Sequence, residues 1–129
     1  MEKVNQKDSV NFGEFLQSKR AKVKITMRQM AEKLGVSAPF LSDVEKGRRN
    51  SLIDMDNLEK LRNILCLNDE EYEIMLNLAG KQRNTVAPDL PEYIIGRDYV
   101  SAALRTARDL GAGEKEWLEF VEKLKSQKG

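Results

Sequence analysis

The feature that most constrains this chain is its punctuation between Thr26 and Gly47. Thr26 stands before a run carrying Met27, Met30, Ala31 and Leu34 at helical spacing, and Gly35 follows that run. Only Val36 separates Gly35 from Ser37, and Pro39 comes within the first turn after Ser37. A threonine or serine oxygen accepts from the N–H groups that open a helix. Glycine takes the left-handed conformation that closes one, and a first-turn proline forfeits no hydrogen bond. The second run, Phe40, Leu41 and Val44, ends at Gly47. The pattern predicts two short helices separated only by a glycine and one or two residues.

The rest of the chain keeps the helical period, and no strand-like alternation occurs. Phe12, Phe15, Leu16 and Val23 share one face over 12–23. Lys19 falls on that face too, where its stem covers apolar surface while its charge reaches water. After the polar stretch Arg48-Arg49-Asn50-Ser51, Asp54 or Asp56 opens a helix with Leu58, Leu61, Ile64 and Leu65 inward. Asn68 caps a fifth helix, and Asp69, Glu70 and Glu71 in its first turn suit the positive end of the helix dipole. Tyr72, Met75, Leu76 and Ala79 form its apolar face, and Gly80 is expected to stop it. The period lapses from Lys81 to Leu90, which reads as a linker or ordered arm, and Pro91 opens a short turn through Ile95. Helices are predicted over 98–110, with Val100, Ala103, Leu104, Ala107 and Leu110 on one side, and over 114–125, with Trp117, Phe120, Val121 and Leu124 on one side. The expectation is an all-α protein. A domain over residues 1–80, with its core at 11–80, is followed by an arm and two further helices over 81–129.

Composition excludes several chemistries. Among 129 residues there is no His and one Cys. That removes an imidazole base, a Ser-His or Cys-His nucleophile pair, a His-ligated metal, an internal disulfide and a multi-Cys zinc site. Carboxylates are plentiful, but no motif marks out a pair. No enzyme activity, cofactor or metal is therefore expected. Cys66, within Ile64-Leu65-Cys66-Leu67, is expected to be a small core residue. No apolar run is long enough to span a bilayer, and the opening residues lack a signal-peptide hydrophobic region, so a cytoplasmic location is expected.

The net charge of +1 first argues against a nucleic-acid partner, but it is a cancellation. Residues 1–51 hold 11 basic and 6 acidic side chains, a net of +5; residues 52–80 hold 2 and 7, a net of −5; residues 81–129 hold 9 and 8. Segregation of this kind predicts a polyanionic partner for the basic part. The acidic helix around Asp69 to Glu73 is expected to be a solvated face turned away from it.

Two short helices crossed at a glycine turn in a basic segment have the pattern of a helix-turn-helix. Ala31 is small where the helices cross, Gly35 permits the turn, and Val36, Leu41 and Val44 pack the second helix on the first. The second helix then projects its N-terminus, whose free N–H groups suit phosphate, and a helix fits the major groove of B-DNA. Ile25-Thr26-Met27-Arg28-Gln29-Met30-Ala31-Glu32-Lys33-Leu34-Gly35-Val36-Ser37, followed by Leu41-Ser42-Asp43-Val44-Glu45-Lys46-Gly47-Arg48-Arg49-Asn50, resembles the Cro/phage-repressor (XRE-type) class of DNA-binding domains. The resemblance covers about residues 11–80 and rests on the joint spacing of Thr26, Ala31, Gly35, Ser37, Leu41, Val44, Glu45 and Gly47.

The resemblance implies a five-helix phage-repressor-like domain with its helix-turn-helix at 26–47 and double-stranded DNA as partner. It implies a structural ion pair between Arg20 and Glu45. DNA contacts are implied for Thr26, Met27 and Arg28 at the start of the second helix, and for Ser37 ahead of the recognition helix. Its outward positions are Ala38, Pro39, Phe40, Ser42, Asp43 and Lys46, and Arg48, Arg49 and Asn50 clamp phosphates after it. The Phe40 ring is left as either a groove contact or a core residue. Many members of the class carry Gln at the position of Met27 and a polar residue at that of Ala38. Here both are apolar, and Pro39 removes another donor. Readout is therefore expected to lean on methyl and ring contacts with thymine, on Ser42, Asp43 and Lys46, and on DNA shape, with Asp43 left as either a base contact or a side chain turned toward Lys46 or solvent.

The class acts on paired half-sites, so a homodimer is expected. Residues 81–129 are read as a dimerisation or partner-binding element, with packing onto the first domain as the other option. The function expected is a sequence-specific transcriptional regulator, a repressor. Two alternatives stay open: an antitoxin-type autoregulator whose C-terminal extension binds a toxin, and a protein-interaction adaptor that has lost DNA binding.

Overall fold

In a computed structural model, which describes residues 10–128, helix starts are set by side chains that accept from free N–H groups. Asn11 caps α1 (Phe12–Val23), Thr26 caps α2 (Met27–Leu34), Ser37 caps α3 (Ala38–Glu45), Asp54 caps α4 (Met55–Ile64) and Asn68 caps α5 (Asp69–Gln82). The caps of α1, α2 and α5 are reciprocal: Glu14, Gln29 and Glu71 accept in return from the cap residue's own N–H. Three more helices follow, α6 (Leu90–Ile94), α7 (Asp98–Leu110) and α8 (Glu114–Lys128). The described residues are all-helical, without a strand. The last helix runs past the predicted Lys125 to Lys128.

The first five helices close around one core. Phe12, Leu16, Met30, Leu41, Leu58, Leu61 and Met75 are almost wholly buried, and each such side chain contributes about 1.5–3 kcal/mol of transfer free energy. α2 packs on α3 and α4, and α1 packs on α3 and α5. The turn between α2 and α3 is made by Gly35 in the left-handed region at φ 77°, and Val36 N–H closes it on the Ala31 carbonyl at 3.0 Å. α1 comes so near the end of α3 that a Cβ on Gly13 would lie 2.4 Å from the Glu45 carbonyl oxygen. Lys19 spans from α1 to α5: its Nζ donates to Glu71 at 3.0 Å and sits 5.4 Å from the Phe15 ring centroid.

Two expectations are corrected. Gly80 does not stop α5, which continues to Gln82. Gly80 is needed for a close approach instead: Val86 and Ala87 fold back over it, and a Cβ there would meet the Ala87 nitrogen at 2.7 Å. Cys66 is exposed, not in the core, and takes φ 54°. It is the left-handed residue of a helix-ending motif, with Leu67 N–H donating to the Arg62 carbonyl at 3.0 Å and Cys66 N–H to that of Asn63 at 3.3 Å. The same turn that directs Leu65 and Leu67 inward sends the thiol outward.

The chain divides into two compact units, one ending at Pro91 and one beginning at Glu92. In the second unit, no residue of α7 or α8 is buried. No described helix is long and apolar enough to cross a membrane.

Candidate nucleic-acid interface

The site is built on the anchoring of α3. Its inner side carries Leu41 and Val44, both fully buried, and ends at Glu45, whose side chain is 2% exposed. Glu45 is matched by Arg20 from α1: Nε donates to Oε2 at 2.8 Å and Nη2 to Oε1 at 3.1 Å. Arg20 Nη1 also donates to the Ile25 carbonyl at 3.3 Å, just ahead of α2. This fork ties α1, α3 and the entry to α2 together, and the hydrogen bond to Glu45 holds the guanidinium even more firmly protonated than usual. With that side fixed, the opposite side of α3 meets solvent. Pro39 and Lys46 are exposed there, and Ser42 and Asp43 are half-buried.

The N-terminal tip combines satisfied caps with a ledge continuous with the core. Thr26 Oγ1 accepts from Gln29 N–H at 3.0 Å and Ser37 Oγ from Phe40 N–H at 3.2 Å. Each hydroxyl keeps its own hydrogen to donate. Met27, Ala38 and Phe40 are half-buried and pack against the core, which gives a structural reason for apolar side chains where polar ones are common. The Phe40 ring carries the Arg49 guanidinium, 4.5 Å from its centroid. Arg28 is exposed at the start of α2.

The loop after α3 is tied at three points. Arg49 stacks on Phe40, Arg48 Nη1 lies 3.7 Å from Asp43 Oδ1, and Asn50 Oδ1 accepts from Gln82 Nε2 at 2.7 Å. All three loop residues remain exposed, Arg48 with 69% of its side chain open. Lys46, Arg48 and Arg49 form an exposed cationic edge at the end of α3, and Arg28 is exposed at the start of α2. Such an edge offers cationic and hydroxyl donors to an anionic polymer.

Two residues of this neighbourhood were missed in the sequence. Gln82 holds Asn50, and Arg83 helps line an open hollow of about 380 Å³ shared with Val36, Phe40, Asn50 and Asn57. Both fall where the apolar period lapses. Nothing in the apolar pattern marks them, and reading Gly80 as a stop placed both outside the helix that carries Gln82.

Comparison with known proteins bears on this same segment. Residues 16–65 match a protein-family model described as helix-turn-helix. Two curated proteins from two strains of Mycobacterium tuberculosis, each named an uncharacterized HTH-type transcriptional regulator, are 46% identical to the chain over 43 residues. The match covers 33% of this chain and 31% of each relative, so the chain spans about a third of the length of these proteins. No solved structure matches the chain.

Proposed function

We propose, from the match of residues 16–65 to a helix-turn-helix family model, that the protein is a sequence-specific DNA-binding regulator of transcription, acting as a repressor. The observation that carries the reading is the exposed cationic edge around α3, held in place from behind by the Arg20–Glu45 fork. In this reading α3 enters the major groove. Thr26, Arg28 and Ser37 meet the phosphates on one side, and Arg48, Arg49 and Asn50 clamp them on the other. Ser42, Asp43 and Lys46 read base edges, while Ala38 and Pro39 offer apolar surface to thymine methyl groups. Met27 and Phe40 shape the tip from beneath, because part of each is committed to the core.

The regulator works as a homodimer on half-sites about 34 Å apart, one turn of DNA, in the cytoplasm and without catalysis. That the two mycobacterial relatives are named transcriptional regulators supports this reading. The test is selection from a random pool of duplexes. Two related half-sites about one turn apart are expected. Failure to enrich any duplex would contradict the proposal and favour a protein-interaction adaptor.

A further inference from the structure

The second unit poses a physical problem. Neither α7 nor α8 buries a residue. Ten large apolar side chains between Tyr93 and Leu124 are 38% to 81% exposed. On α8 they form one stripe through Trp117, Phe120, Val121 and Leu124, with the Trp117 and Phe120 rings set edge to face at 6.2 Å. Isolated helices of this length are marginal in water, and most helical stability comes from burying an amphipathic face. The unit therefore needs a cover.

We propose that the cover is the same unit of a second copy, with the two α8 helices antiparallel about a two-fold axis. This rests on the reading of the protein as a homodimer and assigns the interface for it. Three observations favour a second copy over another partner. The first is charge order. Glu114 and Glu116 flank the beginning of the α8 stripe, and Lys123 and Lys125 flank its end. The same order steadies a single helix, and it makes an antiparallel pair complementary at both ends at once. A two-fold interface needs that self-complementarity.

The second observation is area. At roughly 80 Å² each, the ten open side chains, four of them aromatic, hold about 800 Å² of apolar surface per copy, an upper bound on what the pair can bury and the size of a standard interface. The third is number. Two copies bring four amphipathic helices to one place, enough to enclose a core that two helices lack.

The test uses the full chain without DNA. Sedimentation equilibrium over a concentration series is expected to show a dimer. Val121→Glu with Leu124→Glu, at positions exposed in the single copy, should lower the helical circular dichroism at concentrations where the copies separate, because α7 and α8 lose their cover, while the helices of the first unit stay in place. It should also raise the dissociation constant at least about tenfold, since central apolar anchors dominate interface energy. Direction is tested by single cysteines on a Cys66→Ser background. Oxidation should link copies through Val121→Cys, near the middle of the helix. It should not link them through Gln127→Cys, which an antiparallel pair holds roughly 20 Å from its mate at 1.5 Å per residue.

A wild-type chain that stays monomeric, a dimer unmoved by the double substitution, or linkage through position 127 would each overturn the assignment. Affinity for a duplex carrying one half-site keeps the two readings apart. Self-association without any duplex binding would strike the regulator and leave this interface standing.

Discussion

At the scale of single residues, the fold depends on a few close fits with no slack. Glu45 is buried against Arg20, so Glu45→Ala leaves a half-buried guanidinium unmatched. The expected cost is about 2–4 kcal/mol, toward the lower side for a fully buried pair because Arg20 keeps some access to water; chemical denaturation measures it. Gly13→Ala pushes a methyl group into the Val44 and Glu45 carbonyls and is expected to cost about 1–3 kcal/mol by the same measurement.

Asp54 supplies a pH dependence. Hydrogen bonds from the Asn57 side chain and backbone hold its carboxyl below the usual range, and Glu71 is lowered likewise by the Asn68 backbone and Lys19. A carboxyl depressed in the folded state adds stability above its unfolded value, about 3.9 for Asp, and that stability is lost as pH falls through the folded value. Asp54→Asn keeps an N-cap and should flatten the acid side of a melting-temperature profile relative to wild type. Residue chemistry was unevenly legible. The class resemblance pointed to Arg20 and Glu45, and they pair. Cys66 misled because an apolar neighbourhood in sequence does not reveal a left-handed turn that reverses one side chain.

At the scale of elements, α3 and its following loop act as one unit. The proposed roles separate cleanly by assay. Arg48→Ala with Arg49→Ala should weaken binding to all duplexes alike and reduce the salt slope by about 2, one per phosphate neutralised. Ser42→Ala with Lys46→Ala should instead relax preference among duplexes, by about 1–3 kcal/mol for each base pair that is no longer read. The reverse pattern would mean that α3 docks differently. Helix starts were readable because caps are local chemistry, and Thr26, Ser37 and Asn68 cap where expected. Two features were not. The sequence left the Phe40 ring between groove and core, and the structure divides it, partly against the core and partly under Arg49. The end of α5 was hidden because a glycine serves equally to end a helix and to admit a crossing backbone, and only the fold-back of Val86 and Ala87 distinguishes the two.

At the scale of the whole molecule, charge segregation is what makes a net of +1 compatible with a DNA partner. The basic excess lies in the segment that contains α1 to α3, and the acidic excess lies in the segment that completes the same core. That division was legible because it needs only helix boundaries and a count. The break between the two units at Pro91 and Glu92 was not, because residues 81–91 carry no period to mark which unit they join. The central claim is that the cationic edge of the helix-turn-helix holds DNA through its phosphates. The direct measurement is the affinity for the selected duplex across a salt series, wild type beside Arg48→Ala/Arg49→Ala. Counterion release predicts a slope of log affinity against log salt steeper than about −3 for the wild type and about 2 units shallower for the variant. A flat response in the wild type, or the same slope in both proteins, would contradict it.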